Sequence, residues 1–219
     1  MNTMIRNRNQ KINQIVSTIT TRIAEINDRY RKGASLYFYN RIFELRRNCK
    51  GVQSFLSNDY NVEILYATLV AWDMNSRRAK MKYFDDFREN ILSCMELIKS
   101  MDEYERNRNY DSEHLIITLR DVYKKLHIMR TTAKLVSNSK ILHFLFPKLC
   151  TPMDRKNTLR FFYGNTGETE NKFIEILHLT FEIMTSDGNL SSYIDNGWNK
   201  TIPKLIDNAI ILLVGESVE

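Results

Sequence analysis

Apolar residues recur three and four positions apart through most of the chain, the spacing of helices with one buried face. Ile12, Val16, Ile19, Ile23, Ile26 and Tyr30 alternate by four and three. That pattern predicts a helix over about 8–31 carrying a heptad seam. The seam suits a helix packed into its own bundle, or a coiled-coil contact between two copies in a homodimer. Leu36, Tyr39, Ile42, Phe43 and Leu45 predict a second helix over about 34–48, followed by a loop with a short turn around 52–58. Ser57 or Asn58 is placed to cap a third helix over about 60–73, with Ile64, Leu65, Leu69 and Trp72 inward.

The basic cluster Arg77, Arg78, Lys80 and Lys82 leads into a helix over about 79–101, whose buried stripe is Phe84, Phe87, Ile91, Cys94 and Ile98. A charged connector spans 102–111. Ser112 then caps a helix with Leu115, Leu119, Val122 and Leu126 at its seam. Residues 140–149 are apolar enough to suggest a strand. Ser137 and Asn138 before them and Pro147 near their end favour a short buried helix. Two more helices follow, over about 168–184 and 201–214, the latter with Pro203 in its first turn. No confident period-two strand is present. The expected fold is all-α, a single compact multi-helix bundle of about eight helices in one domain over 1–219, with a small α+β fold as the alternative.

Composition agrees with this reading. There are 7 Gly and 3 Pro in 219 residues, too few for the many tight turns of a sheet-rich fold. With so few glycines, no Walker loop or dinucleotide fingerprint is present. Cys49, Cys94 and Cys150 are odd in number and widely spaced, which favours a reducing, cytoplasmic setting over a disulfide framework. The first eleven residues are polar and carry three charges, so no signal-peptide core is seen there. No run of about 18 apolar residues suggests a membrane span. No His-Glu-x-x-His occurs and the histidines are scattered, so neither a metal nor any other cofactor is expected.

Charge is distributed unevenly. The chain carries a net +6, yet residues 120–160 alone hold about eight more positive than negative charges. Such concentration suits a polyanion such as DNA or RNA, and equally a solvated basic face. Arg130, Lys134, Arg155, Lys156 and Arg160 are the candidate phosphate-binding residues. In the same stretch Thr151, Pro152 and Asp154 read as the start of a helix: a cap, a proline in the first position and a carboxylate near free amides. His143, Phe144, Phe162 and Tyr163 are the candidate pocket residues. Helical spacing gives them a core-packing reading as well.

The string SKILHFLFPKLCTPMDRKNTLRFF, Ser139 to Phe162, resembles a signature in a family of uncharacterised prokaryotic helical proteins. There a Ser-Lys-x-Leu-His stretch precedes Pro-x-Leu, Pro-x-Asp-Arg and Thr-x-x-Phe-Phe. YATLVAWDMNSRRAK, Tyr66 to Lys80, resembles an earlier block of that family, and the two blocks cover about a fifth of the chain. The family brings no activity with it.

A more remote similarity is to the helix-hairpin-helix DNA glycosylases, in which a basic residue opens a buried helix and a Pro-x-Asp turn follows. That resemblance places Lys140 at the lysine position and Asp154 at the catalytic carboxylate. It implies base-excision chemistry with an oxocarbenium-like sugar stabilised by Asp154 and an extruded base held against aromatic rings. The family's Gly-x-Gly hairpin is replaced here by Leu135-Val136-Ser137-Asn138. Function is therefore expected to be nucleic-acid binding with glycosylase-like character. The alternatives are a non-catalytic helical interaction or scaffold protein and a small-molecule enzyme.

Overall fold

A computed structural model describes residues 5–30, 32–74, 80–108, 110, 113–186 and 189–216. Arg77 and Arg78 of the basic cluster, and the Ser112 cap, lie outside the described residues. Among those described, helix dominates. In chain order the helices are α1 (Arg8–Arg22), α2 (Glu25–Arg29), α3 (Ala34–Arg47), α4 (Val52–Leu56), α5 (Asp59–Ala71) and α6 (Phe84–Ser93). Then come α7 (Met95–Asn107), α8 (Glu113–Lys125), α9 (Leu135–Leu145), α10 (Arg160–Tyr163), α11 (Glu170–Ser186) and α12 (Ile202–Glu216). A π-helical turn spans Arg155–Leu159 and a 3-10 turn spans Leu190–Tyr193. The all-α expectation holds, and the one β feature among the described residues is an isolated antiparallel bridge between Met81 and Met129.

The described helices outnumber the eight expected because backbone turns divide two of the predicted ones and two short helices, α4 and α10, add to them. Between α1 and α2 the bonds run three residues back, Ile26 N–H to Ile23 O at 3.3 Å and Asn27 N–H to Ala24 O at 3.1 Å. An α-helix drifts about 20° per heptad away from a strict seven-residue repeat. Tightening the turn keeps Ile23 and Ile26 both buried. Cys94 makes a similar i−3 bond to Ile91 O at 3.0 Å and separates α6 from α7. A short helix, α4, occupies the expected loop, and α7 runs through much of the expected connector. Residues 80–83 are extended because they pair with 128–130, where sequence periodicity predicts helix: Lys82 N–H donates to Ile128 O and Arg130 N–H to Lys80 O, each at 2.9 Å.

The chain divides into two compact units, one formed by residues 1–31 and 147–219, the other by residues 32–146. In the first, α12 is the centre, packed by α1, α11, the π turn and the 3-10 turn. Leu205, Ile206, Ala209, Ile210 and Leu212 on α12 are buried, with Ile15, Ile19, Phe173 and Leu177 among the buried residues of α1 and α11. Of the predicted seam, Ile19, Ile23 and Ile26 are buried and Ile12 and Val16 half-buried, while Ile15, outside that seam, is buried too. Lys204 and Asp207, also buried, form an ion pair along α12.

In the second unit α5 is packed by α3, α4, α6 and α9. The rings of Tyr39, Phe43, Trp72, His143 and Phe144 form one cluster, with centroids 4.8–6.3 Å apart. α9 stops at Leu145, and Phe146, before Pro147, leaves the helical region (φ −132°, ψ 70°), which a following proline disfavours.

A buried carboxylate ties four of these helices. Asp102 on α7 pairs with Arg46 of α3 and accepts the first amide of α4, Val52 N–H, at 3.3 Å. Arg46 also donates to Leu145 O at the end of α9, at 3.0 Å. Side-chain exposures of 7% for Asp102 and 12% for Arg46 leave little water to replace a lost partner. Asp102→Ala therefore strands the guanidinium and is expected to destabilise the protein by about 3 kcal/mol, read as a lowered urea midpoint with unchanged slope.

Candidate anion-binding groove

The segment before the π turn is buried from Thr151 to Met153. Thr151 donates its hydroxyl to Thr180 Oγ1 at 3.1 Å on α11, so it does not cap the turn that follows, and Pro152 is not in a first helical position. Asp154 does the capping, three residues later than expected. Its backbone is extended, its Oδ1 accepts Asn157 N–H at 2.7 Å, and its own N–H donates to Thr158 Oγ1 at 3.0 Å. Two otherwise orphaned donors are thus satisfied reciprocally. Leu159 N–H then reaches back five residues to Asp154 O at 3.1 Å, and α10 completes the bend. Gly164 closes it at φ +67°, a left-handed conformation that costs glycine nothing, with its N–H on Arg160 O at 2.8 Å.

This bend and the start of α1 enclose a half-open groove of about 540 Å³, within the size range of small-molecule sites. Arg6, Asn7 and Lys11 form one wall and Arg160 to Asn165 the other. The Lys11 ammonium donates to Phe161 O and lies 4.6 Å from the Phe161 ring centroid. Burial holds its pKa below the ordinary lysine value. Glu175 holds the walls together by accepting Ile5 N–H at 2.5 Å and the Tyr163 hydroxyl at 2.8 Å. Burial, and then that bond to a carboxylate, push the Tyr163 phenol far above its usual range. Lys172 lies 4.8 Å from the Tyr163 ring centroid and donates to Asn165 Oδ1 and Gly167 O at 2.7 and 2.6 Å, which fixes the loop after α10.

No carboxylate among the described residues pairs with Arg6, Lys11 or Arg160. Arg8, by contrast, pairs with Glu182, and Arg155 with Glu168. The groove therefore offers three positive groups beside aromatic rings. Among the described residues no group of His, Cys, Asp or Glu could hold a metal ion.

Of the residues singled out from sequence, Arg160, Phe162 and Tyr163 line this groove. Arg155 and Lys156 are exposed on the π turn. Arg130 and Lys134 belong to the other unit. His143 and Phe144 are wholly buried in the ring cluster, with His143 Nε2 3.0 Å from the Tyr39 hydroxyl, so they line no groove. Lys140 belongs to the second unit and Asp154 to the first. Lys140 donates to Trp72 O at 2.8 Å, at the C-terminus of α5, where a cation complements the helix dipole. In the sequence Arg6 and Lys11 belong to a polar N-terminal stretch, and their one signal is the positive charge clustered there.

Compared with protein-family models, with curated proteins and with solved structures, the chain matches none.

The cap makes a definite forecast. Asn replaces Asp at N-caps with little loss, so Asp154→Asn is expected to melt close to the parent. Asp154→Ala should lose about 1 kcal/mol by denaturant titration. Asp154 also acts on Tyr30, whose phenol is raised from about 10 to about 12 by burial first, then by Asp207 and Asp154, against Arg29. A folded pKa above the unfolded one means that this stabilising contribution is complete below pH 10 and is lost as pH rises towards 12. Tyr30→Phe should remove that part of the alkaline destabilisation, measured by unfolding across this pH window.

Proposed function

We propose that this chain binds nucleic acid, with the groove of the first unit gripping the phosphate backbone. The observation that carries the reading is the convergence of Arg6, Lys11 and Arg160, none paired with a carboxylate among the described residues, on one concavity walled by Phe161 and Tyr163. Cations positioned without acidic partners keep their charge for a polyanion, and neighbouring rings suit base or sugar contact. The +8 excess of residues 120–160, against +6 for the whole chain, supports the same reading.

Base-excision chemistry gains no support from the geometry, because Asp154 Oδ1 and Lys140 Nζ are both bonded to backbone. Those bonds favour a second reading, a helical interaction protein without catalysis. A homodimer through α1 has no comparable support, since its buried residues Ile15, Thr18 and Ile19 face its own unit.

Salt separates the two readings. Binding to a labelled oligonucleotide should weaken steeply as salt rises, with log K linear in log salt. Lys11→Gln combined with Arg160→Gln should make that slope shallower by about 1.5, for two lost phosphate contacts. An unchanged slope, or no binding at low salt, overturns the proposal and leaves the interaction protein.

A further inference from the structure

The second unit carries a separate feature that the groove does not explain. Tyr83 is the most exposed of the large apolar side chains among the described residues, at 70%. The Arg130 guanidinium lies 4.1 Å from its ring centroid. Neither residue is held loosely. Tyr83 precedes α6 directly, and Arg130 is held by its N–H bond to Lys80 O. Met81 and Met129, the bridged pair between them, are each 2% exposed and anchor both segments in the core. Tyr66 adds a hydroxyl bond to Lys82 O at 3.0 Å.

A ring held under a guanidinium with most of its surface in water presents apolar area that folding leaves unused. It is also the geometry on which unpaired bases stack, because every base has a π face and arginine strengthens the contact. Asp85 and Asp86 are exposed in the first turn of α6, just after Tyr83.

We propose that Tyr83 and Arg130 form a stacking ledge for an unpaired base of single-stranded nucleic acid. The proposal rests on the nucleic-acid reading and adds to it a preference for single strands over duplex. An acidic peptide would use the guanidinium but would leave the ring without a partner.

The test uses the full chain with single-stranded DNA, single-stranded RNA and a duplex, the single strands carrying a fluorescent base analogue. Tyr83→Ala should weaken single-strand binding by about tenfold and abolish stacking-induced quenching of the analogue. Duplex affinity and the melting temperature should stay at parent values, and Tyr83→Phe should retain both binding and quenching. A response in either single-strand arm supports the ledge and names the strand. If Tyr83→Ala leaves single-strand affinity and quenching unchanged while Lys11→Gln with Arg160→Gln still weakens binding, the ledge is overturned and the groove stands. Loss of binding to a polyglutamate peptide with no change for either strand also overturns it. Absence of any oligonucleotide binding at low salt removes both readings.

Discussion

A helix that is apolar around most of its circumference has no face to give to water, and its neighbours must be arranged to cover it. Each unit is built around one central helix, and that of the first unit is of this kind. In the first, residues 203–210 of α12 are buried without interruption, so α1, α11 and the two irregular turns are spent on wrapping it. In the second, α5 is covered by α3, α4, α6 and α9. The N-terminal residues reach the bend at 155–165 as a consequence. α1 lies against α12, α12 lies against the π turn, and the groove forms where their ends meet.

The polar residues of the interior follow the same constraint. Once α12 is enclosed, Lys204 and Asp207 can remain charged only as partners. Asn208 Nδ2 donates to Trp198 O and Asn199 Oδ1 at 3.2 and 2.8 Å. Asp102 answers the same need in the second unit. The two groups that the glycosylase resemblance would make reactive, Lys140 and Asp154, both end on backbone atoms. Arg6, Lys11 and Arg160 have no carboxylate partner among the described residues, and the Arg130 guanidinium lies over the Tyr83 ring.

Much of the helical architecture was legible in the sequence. Periodicity located α3, α5, α8, α11 and α12 to within a few residues, and scarce glycine and proline pointed to helix before any residue was placed. Three features were not legible, for distinct reasons. The breaks at residues 23–24 and at Cys94 carry no proline or glycine, and arise where packing favours a tighter turn over a straight helix. Residues 80–83 are extended because of a partner segment almost fifty positions away, which no local window contains. The groove joins Arg6 and Lys11 to Arg160 across some 150 positions. Sequence identified one wall, through Arg160, Phe162 and Tyr163, and left the other within an unremarkable polar stretch. The capping signal around Asp154 was legible in kind and displaced in register, because Thr151 to Met153 were drawn into the core.

The five-residue turn at Arg155–Leu159 has a geometric effect on everything after it. A turn closed over five residues holds one more than an ordinary helical turn, and one residue corresponds to about 100° of rotation about the axis. Arg160 and Phe161 therefore emerge about a quarter of a revolution away from where an unbroken helix starting at Asp154 would aim them. Shortening this turn by a single amino acid would turn different side chains towards the cleft, so length here shapes its lining as much as composition does.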